Sequence, residues 1–179
     1  SGSFFYFSSD GSYLIKTIPH REMLALLNIL PEYIEHVSAQ PHTLLPRFMG
    51  AHRLILPGAG KVHFIVMANV FSTDRVIHER YDLKGSTLGR SAGTANIAAN
   101  PGTVRKDKDL KKPFRVQPEV RSALCAQMRA DLGFLRRVRT MDYSLLCGVC
   151  YPGREEPAPS EDETADKQRG YALPVPQPA

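Results

Sequence analysis

The sequence lacks any run of about 18 apolar residues, the length that a membrane-spanning helix requires. Its first residues also lack a charged start followed by an apolar stretch, so we expect no secretory signal peptide. Cysteines are few: Cys125, Cys147 and Cys150 are an odd number and too few for a disulfide framework, which favours a reducing compartment. The CGVC pair has no second pair, so we interpret it as strand packing and not as a zinc site. A soluble intracellular protein is expected.

The chain is long enough for one ordinary core, which two lobes can share, at 179 residues and 42% hydrophobic. Its net charge of +5 is unevenly distributed, because residues 152–179 hold 3 Lys and Arg against 6 Asp and Glu. The basic remainder favours a phosphate-rich partner, which could be nucleic acid, an anionic membrane or a nucleotide. The acidic tail carries six prolines and no apolar periodicity, so we expect it to be disordered or bound from outside the domain.

The order of predicted elements mixes strands and helices. We predict a hairpin over residues 1–18, a helix over 20–37 that Pro31 kinks or divides, and two strands joined by the turn PGAGK. A further strand, VIHERYDLKG, leads into a region at 91–118 that is predicted to be irregular and basic. A second helix begins at Pro118, with an apolar stripe from Val120 to Val138, and DYSLLCGVCY is predicted to be a strand.

The stretch RYDLKGSTLGR crowds charges around two glycines. A strand alternates its faces, so Arg80, Asp82 and Lys84 are expected to project from the same side. One interpretation is a solvated edge strand that runs into a glycine turn. The other is a binding site for a polyanion, to which Lys84 and Arg90 would contribute.

The first hairpin has the pattern of a structure that covers nucleotide phosphates. A small tip at Ser1, Gly2 and Ser3 lets backbone approach phosphate oxygens, and Lys16 emerges from the next strand toward them. Glu22, at the start of the next helix, is suited to pair with Lys16, as a helix carboxylate does in protein kinases. Alternatively, Lys16 lies along the edge of an apolar strand and Glu22 interacts only with the helix dipole.

Two further stretches are candidates for the site. VHFIVMANVF ends in Met67, Ala68 and Asn69, where an adenine ring could meet backbone groups, although the pattern equally fits a core strand. RTMDYSLL places Asp142 beside a cationic helix end, where positive charge would keep the carboxylate ionised. The alternative is that Asp142 only neutralises Arg137 or Arg139.

Taken together, these motifs resemble the phosphatidylinositol phosphate kinases, and most closely the 4-phosphate 5-kinases. SGSFFYFS resembles the glycine-rich loop of that family, IKT its nucleotide lysine, and TLLPRFMG and VMANVF its linking and hinge strands. DLKGSTLGR and TMDYSLLCG match its two signature motifs, and KDKDL at 106–110 resembles its KDLDL element. The resemblance covers residues 1–151, which we predict to be a partial catalytic domain followed by the tail at 152–179.

The resemblance implies an α+β, two-lobed fold distantly related to protein kinases, with an antiparallel sheet, packed helices and an incomplete C-terminal lobe. Its cofactors would be ATP and Mg²⁺, and its partner a phosphoinositide in the cytoplasmic face of the plasma membrane. The basic residues at 105–115 would contact that anionic surface, unless they are an ordinary solvated loop. No nucleic-acid partner is expected, because no recognition helix or aromatic stacking motif is present.

Roles implied by the resemblance fall on nine residues. Asp142 would orient or deprotonate the inositol hydroxyl, and Lys84 would reach toward the transferring phosphate. The remaining residues would bind ATP: Ser1, Gly2, Ser3, Lys16, Glu22, Met67 and Asn69.

The chain departs from the family pattern after Tyr151. The family has a second acid in an Ile-Ile-Asp type motif, which binds magnesium, and then an activation loop; neither follows here, so the metal ligands stay unassigned. We therefore expect a domain that is truncated at both ends. The alternative function is a catalytically inactive phosphoinositide-binding or scaffold fragment.

Overall fold

The computed structural model describes residues 3–57 and 60–154, which form two compact units. In the described chain, the first unit comprises residues 3–57, 60–72 and 122–139, and the second comprises 73–121 and 140–154. Helices and mainly antiparallel strands confirm the predicted α+β class. Ser1, Gly2 and the predicted tail from residue 155 onward lie outside the described residues.

A four-stranded antiparallel sheet forms the first unit, in the order β1-β2-β4-β3. Its strands are β1 (Phe5–Phe7), β2 (Tyr13–Ile18), β3 (Phe48–Leu56) and β4 (Gly60–Ala68). The turn between β1 and β2 is built around Asp10, whose carboxylate accepts hydrogen bonds from Ser8 Oγ at 2.5 Å and Ser12 N at 3.1 Å. The predicted hairpin is confirmed, because this polar turn reverses the chain as the SSDGS sequence indicates.

Helix α1 (His20–Ala39) packs on the sheet through an apolar cluster. Ile18, Met23 and Ile65 are buried, and Phe48 and Met67 pack against them. Pro31 lies inside one continuous helix, which excludes the alternative that it divides the helix in two, and the kink stays a prediction.

Tyr33 shows why α1 continues past Pro31. Its ring is buried, and its hydroxyl donates to Pro46 O at 2.7 Å and accepts from Phe48 N at 3.1 Å. These contacts anchor the second half of the helix to the chain that enters β3, which offsets the backbone hydrogen bond that proline cannot make.

Helix α3 (Pro118–Arg137) begins at the predicted proline and places a buried carboxylate in the first unit. Asp131 accepts hydrogen bonds from His36 Nε2 at 2.7 Å, Thr43 Oγ1 at 2.6 Å and Leu44 N at 2.8 Å. One turn along the helix, Phe134 stacks on His36 with ring centroids 4.7 Å apart. One polar network therefore joins three pieces of the first unit: the end of α1, the segment that precedes β3, and α3. The aromatic contact between Phe134 and His36 adds to it.

The second unit is built on a three-stranded sheet in the order β6-β5-β7. The central strand β5 (Glu79–Leu83) runs parallel to β6 (Arg105–Lys106) and antiparallel to β7 (Leu145–Val149). The prediction that residues 91–118 are irregular is wrong for three pieces: α2 (Thr94–Ala99), β6 and a 3-10 turn (Asp107–Asp109). These pieces are too short to show periodicity in the sequence. Within the described residues, no helix has both the length and the apolar character needed to cross a membrane.

Candidate active site

The sheet of the second unit brings together two residues that are far apart in the sequence. Strand β5 ends at Leu83, which pairs with Leu145 at the start of β7. Because the two strands are antiparallel, the residue after β5 lies next to the residues that precede β7. Lys84 and Asp142 meet there, with Lys84 Nζ 2.5 Å from Asp142 Oδ1.

The position and the contact of Lys84 bear on two predictions. Lys84 is the residue after β5, whereas Arg80 and Asp82 lie within that strand, so a common face for the three side chains stays a prediction. The predicted alternative partners of Asp142 were Arg137 and Arg139, but the carboxylate binds Lys84. The catalytic roles of Lys84 and Asp142 stay predictions; the structure shows that the two side chains are in contact.

Asp142 is an exposed, charged group in an unusual backbone conformation. Its side chain is 82% exposed, whereas that of Lys84 is 26% exposed. The hydrogen bond from Lys84 lowers the pKa of Asp142 from its ordinary value of 3.8, so the carboxylate is ionised near neutral pH. Its backbone has φ 61°, in the left-handed region that few residues other than glycine adopt. Such strain is common where a side chain must be presented to a ligand.

The guanidinium of Arg90 is held by acceptors of its own chain. Its Nε donates to Asp107 Oδ2 at 2.7 Å, and its Nη2 donates to Asp82 Oδ1 at 2.8 Å and to the Asp82 carbonyl oxygen. The side chain is only 12% exposed. Arg90 therefore binds two carboxylates of its own chain and ties the loop back to β5.

The KDKDL segment contains two acids, Asp107 and Asp109, for which no role was predicted. Asp107 accepts hydrogen bonds from Lys84 N at 3.0 Å and Gly85 N at 2.7 Å, in addition to Arg90. The hydrogen bond from Arg90 is the largest cause that lowers the pKa of Asp107 to about 2. The signal available in the sequence was two acids spaced by one residue in a segment that follows a glycine turn.

The predicted nucleotide residues Lys16 and Glu22 lie in the first unit. Lys16 is in β2, where its Nζ lies 5.5 Å from the ring centroid of Phe5. Glu22 is an exposed residue in the first turn of α1. Within residues 3–57 and 60–154, no ion pair joins Lys16 to Glu22. Their pairing around a nucleotide stays a prediction.

The predicted adenine-binding residues lie at the end of β4. Met67 packs against the apolar cluster of the first unit, in agreement with the alternative of a core strand. Asn69 Nδ2 donates to Gly11 O at 2.9 Å, and Asn69 N donates to Ser12 O at 2.9 Å. Asn69 thus binds the β1–β2 turn to the end of β4 through two hydrogen bonds. Ser3 is half-buried, and the rest of the predicted tip is outside the described residues.

Comparison with known proteins decides the family. The sequence profile of the phosphatidylinositol-4-phosphate 5-kinase family matches residues 1–174 of this chain. The chain belongs to that family. The match extends past residue 151, where the predicted catalytic region ended.

Relatives of this phosphatidylinositol-4-phosphate 5-kinase family member occur in distant eukaryotes. A probable phosphatidylinositol phosphate kinase of Dictyostelium discoideum is 42% identical over 89% of this chain and 22% of its own length. Phosphatidylinositol 4-phosphate 5-kinase 7 of Arabidopsis thaliana is 44% identical over 86% of this chain and 20% of its own length. The Schizosaccharomyces pombe enzyme its3, also named phosphatidylinositol 4-phosphate 5-kinase, is 44% identical over 83% of this chain and 20% of its own length. The chain spans about a fifth of the length of these relatives.

Membership of a kinase family implies ATP as the phosphate donor, usually together with Mg²⁺. In the described residues, no three His, Cys, Asp or Glu side chains converge as a metal site. Mg²⁺ in kinases is held by one or two carboxylates together with nucleotide phosphates. The described residues therefore do not form a cage of their own, and the protein ligands of Mg²⁺ stay unassigned among them.

Proposed function

We propose that the protein carrying this chain transfers a phosphate from ATP to the inositol ring of a phosphatidylinositol monophosphate. The proposed reaction converts phosphatidylinositol 4-phosphate to phosphatidylinositol 4,5-bisphosphate, the reaction type named in the relatives at 44% identity. The observation that carries the proposal is the contact of Lys84 Nζ with the exposed carboxylate of Asp142. Family membership supports a two-lobed fold distantly related to protein kinases, which we propose for the complete catalytic domain.

The residues of the site supply what phosphoryl transfer requires. Asp142 accepts the hydrogen bond of the attacking inositol hydroxyl and takes its proton as the oxygen bonds to the γ-phosphorus and ADP leaves. Lys84 stabilises the negative charge that spreads over the transferring phosphate. In the first unit, Lys16 is proposed to hold the nucleotide phosphates, with Glu22 as its partner. If Mg²⁺ were bound with the nucleotide, it would offset negative charge on the nucleotide phosphates.

The substrate would be reached at an anionic membrane surface. Lys108, Lys111 and Lys112 are exposed in the segment that follows β6, and they are proposed to contact acidic lipid headgroups. A peripheral position at the cytoplasmic face of the plasma membrane is proposed on this basis. A nucleic-acid partner is not part of the proposal.

Phosphate transfer to defined vesicles tests this function. The full-length protein is incubated with labelled ATP, Mg²⁺ and vesicles that carry each phosphatidylinositol monophosphate in turn. Product on the 4-phosphate alone, or in large excess, is the expected result. If the folded protein binds these vesicles but labels none of them, the proposal is wrong and a phosphoinositide-binding or scaffold role takes its place.

Substitution of one proposed catalytic residue and one proposed nucleotide-binding residue tests the roles assigned to them. Asp142→Asn and Lys16→Met should each lower the turnover number by about 10²-fold or more, because general-base and charge-stabilising groups contribute effects of that size. The matched control is Glu32→Gln, which breaks the exposed ion pair between Glu32 and Arg137 (3.3 Å) and should leave turnover unchanged. Undiminished turnover in either test variant would remove the role assigned to that residue.

A further inference from the structure

The loop that begins at Lys84 is held by one carboxylate at its base. We call residues 84–92 the Lys84 loop. Asp107 Oδ1 accepts from the backbone N–H groups of Lys84 and Gly85, and its Oδ2 accepts from Arg90 Nε at the far side of the loop. Both oxygens of Asp107 are therefore occupied by donors from this loop.

A second carboxylate, two residues later, holds a different part of the same region. Asp109 accepts from Ser91 Oγ at 2.8 Å and Ala92 N at 2.8 Å, at the end of the Lys84 loop. Its third donor is Lys106 N at 2.9 Å, outside the loop. Asp109 thus has the same charge and the same number of donors as Asp107, but it contacts neither Lys84 nor Gly85.

We propose that Asp107 is a positioning residue for phosphate transfer: it fixes the backbone of Lys84 so that the amine of this residue meets Asp142. The proposal rests on the function proposed above and adds a third residue to the site. Among the described residues, no hydrogen bond joins Asp107 to Asp142. Asp107 therefore acts through Lys84 and not on the inositol hydroxyl or the phosphate.

The position of a flexible side chain depends on the backbone from which it starts. A lysine has four rotatable side-chain bonds, so its amine reaches a defined point only if its backbone is fixed. β5 fixes the chain up to Leu83, and the next residues must turn away, with φ 70° at Gly85. The carboxylate of Asp107 receives both N–H groups at this turn. Because a displacement of about 1 Å can cost about 10²-fold in rate, this anchor controls the reactivity of the site.

Arg90 fixes the orientation of the Asp107 carboxylate that binds the Lys84 backbone. Its guanidinium binds Asp107 Oδ2 and, on its other side, the Asp82 carboxylate in β5. The Asp107 carboxylate is therefore oriented by a cation that is itself attached to the sheet. An asparagine at position 107 offers one acceptor oxygen in place of two, so it cannot serve Arg90 and the backbone of Lys84 equally well.

The test compares Asp107→Asn with Asp109→Asn in the full-length protein. Each substitution removes one negative charge and one of two acceptor oxygens from a carboxylate with three donors. We expect Asp107→Asn to lower the turnover number, per folded protein, by about 10- to 100-fold, with the KM for ATP changed by less than about twofold. Asp109→Asn should lower turnover by less than about threefold. Equal losses in the two variants would overturn the proposal.

A second measurement does not depend on phosphate transfer. The rate at which an acylating reagent modifies Lys84 is measured by mass spectrometry, with Asp142→Asn as the reference for a released amine. We expect modification of Lys84 to accelerate in Asp107→Asn toward that reference and to stay near the wild-type rate in Asp109→Asn. An unchanged rate in folded Asp107→Asn would overturn the proposal. If the wild-type protein transfers no phosphate, the proposed function fails and this rate still decides the positioning role.

Asp107→Glu covers the case in which Asp107→Asn does not fold. Glutamate keeps the charge that Arg90 requires, but it moves the carboxylate by one methylene relative to the backbone of Lys84. The same acceleration of Lys84 modification is expected. A wild-type rate in the folded glutamate variant would count against the proposal.

Discussion

At the scale of single residues, Asp131 places a buried carboxylate in the first unit. Its side chain is 7% exposed and accepts hydrogen bonds from α1, from the segment before β3 and from Gln127 in its own helix. Burial alone would raise the pKa of Asp131, but the hydrogen bonds from His36, Thr43, Leu44 and Gln127 together lower it. The folded state therefore favours the ionised form.

Asp131→Asn should destabilise the chain by about 2–4 kcal/mol, because buried donors then lose a charged acceptor. Since the pKa of Asp131 is lowered in the folded state, its stabilisation is complete above its ordinary value of 3.8 and is lost as pH falls through the lowered pKa. The difference between wild type and variant in urea unfolding should shrink below about pH 4. Glu35→Gln, at an exposed position of α1, is the control. A difference that persists unchanged at low pH would contradict this account.

Residue identities alone predicted which chemical groups the site contains, but not which of them are in contact. That Asp142 is ionised beside a cation was predictable from its neighbours, but the cation proved to be Lys84, 58 positions away. The pairing of β5 with β7 brings together residues that are this far apart in the sequence, and no local sequence pattern encodes that pairing. The role of Asp107 was missed for the same reason, since a carboxylate that accepts backbone N–H groups looks in the sequence like any solvated acid.

At the scale of elements, turn residues and prolines predicted the hairpin turn and the helix start that they physically favour. Turn residues marked the β1–β2 hairpin, and Pro118 marked the start of α3. The apolar stripe predicted for α3 was less informative: Val120, Leu124 and Leu132 are exposed, whereas Asp131 and Phe134 are buried. A buried acid interrupts the hydrophobic pattern because its burial is stabilised by donors from elsewhere in the chain, which periodicity cannot show.

Pro31 offers a test of how α1 is stabilised. Pro31→Ala restores an N–H that can donate to the Leu27 carbonyl inside the helix, which favours the folded state by about 3 kcal/mol. The greater backbone freedom of alanine in the unfolded chain offsets about 1 kcal/mol of this. We expect a net increase of about 1–2 kcal/mol in the free energy of unfolding, measured by urea titration. Glu35→Ala, on the same helix, should change stability by less than about 0.5 kcal/mol. A less stable proline variant would show that the packing of Tyr33 needs the proline.

At the scale of the whole molecule, charge is the property on which the proposed membrane contact depends. The basic excess of residues 1–151, 20 Lys and Arg against 12 Asp and Glu, was visible in the sequence. The structure shows which cations of the predicted basic surface are internal: Arg105 binds Glu79 at 3.0 Å and lies over the ring of Tyr81. Lys108, Lys111, Lys112 and Arg115 remain exposed, and Lys106 is half-buried. The proposed membrane contact therefore rests on these four exposed cations, of which the three lysines lie closest together in the sequence.

Replacing Lys108, Lys111 and Lys112 together with glutamine should weaken binding to vesicles that contain anionic lipid by about 100-fold. Each cation near such a surface contributes about 1 kcal/mol, and 1.4 kcal/mol corresponds to a tenfold change. The wild-type affinity should fall steeply with added salt, and the variant's affinity much less, because screening acts on the charges that the variant lacks. The control replaces three exposed cations elsewhere, Arg53, Lys61 and Arg129, with glutamine, which changes the net charge equally. If both triple variants lose the same affinity, net charge and not this segment attracts the protein to the membrane.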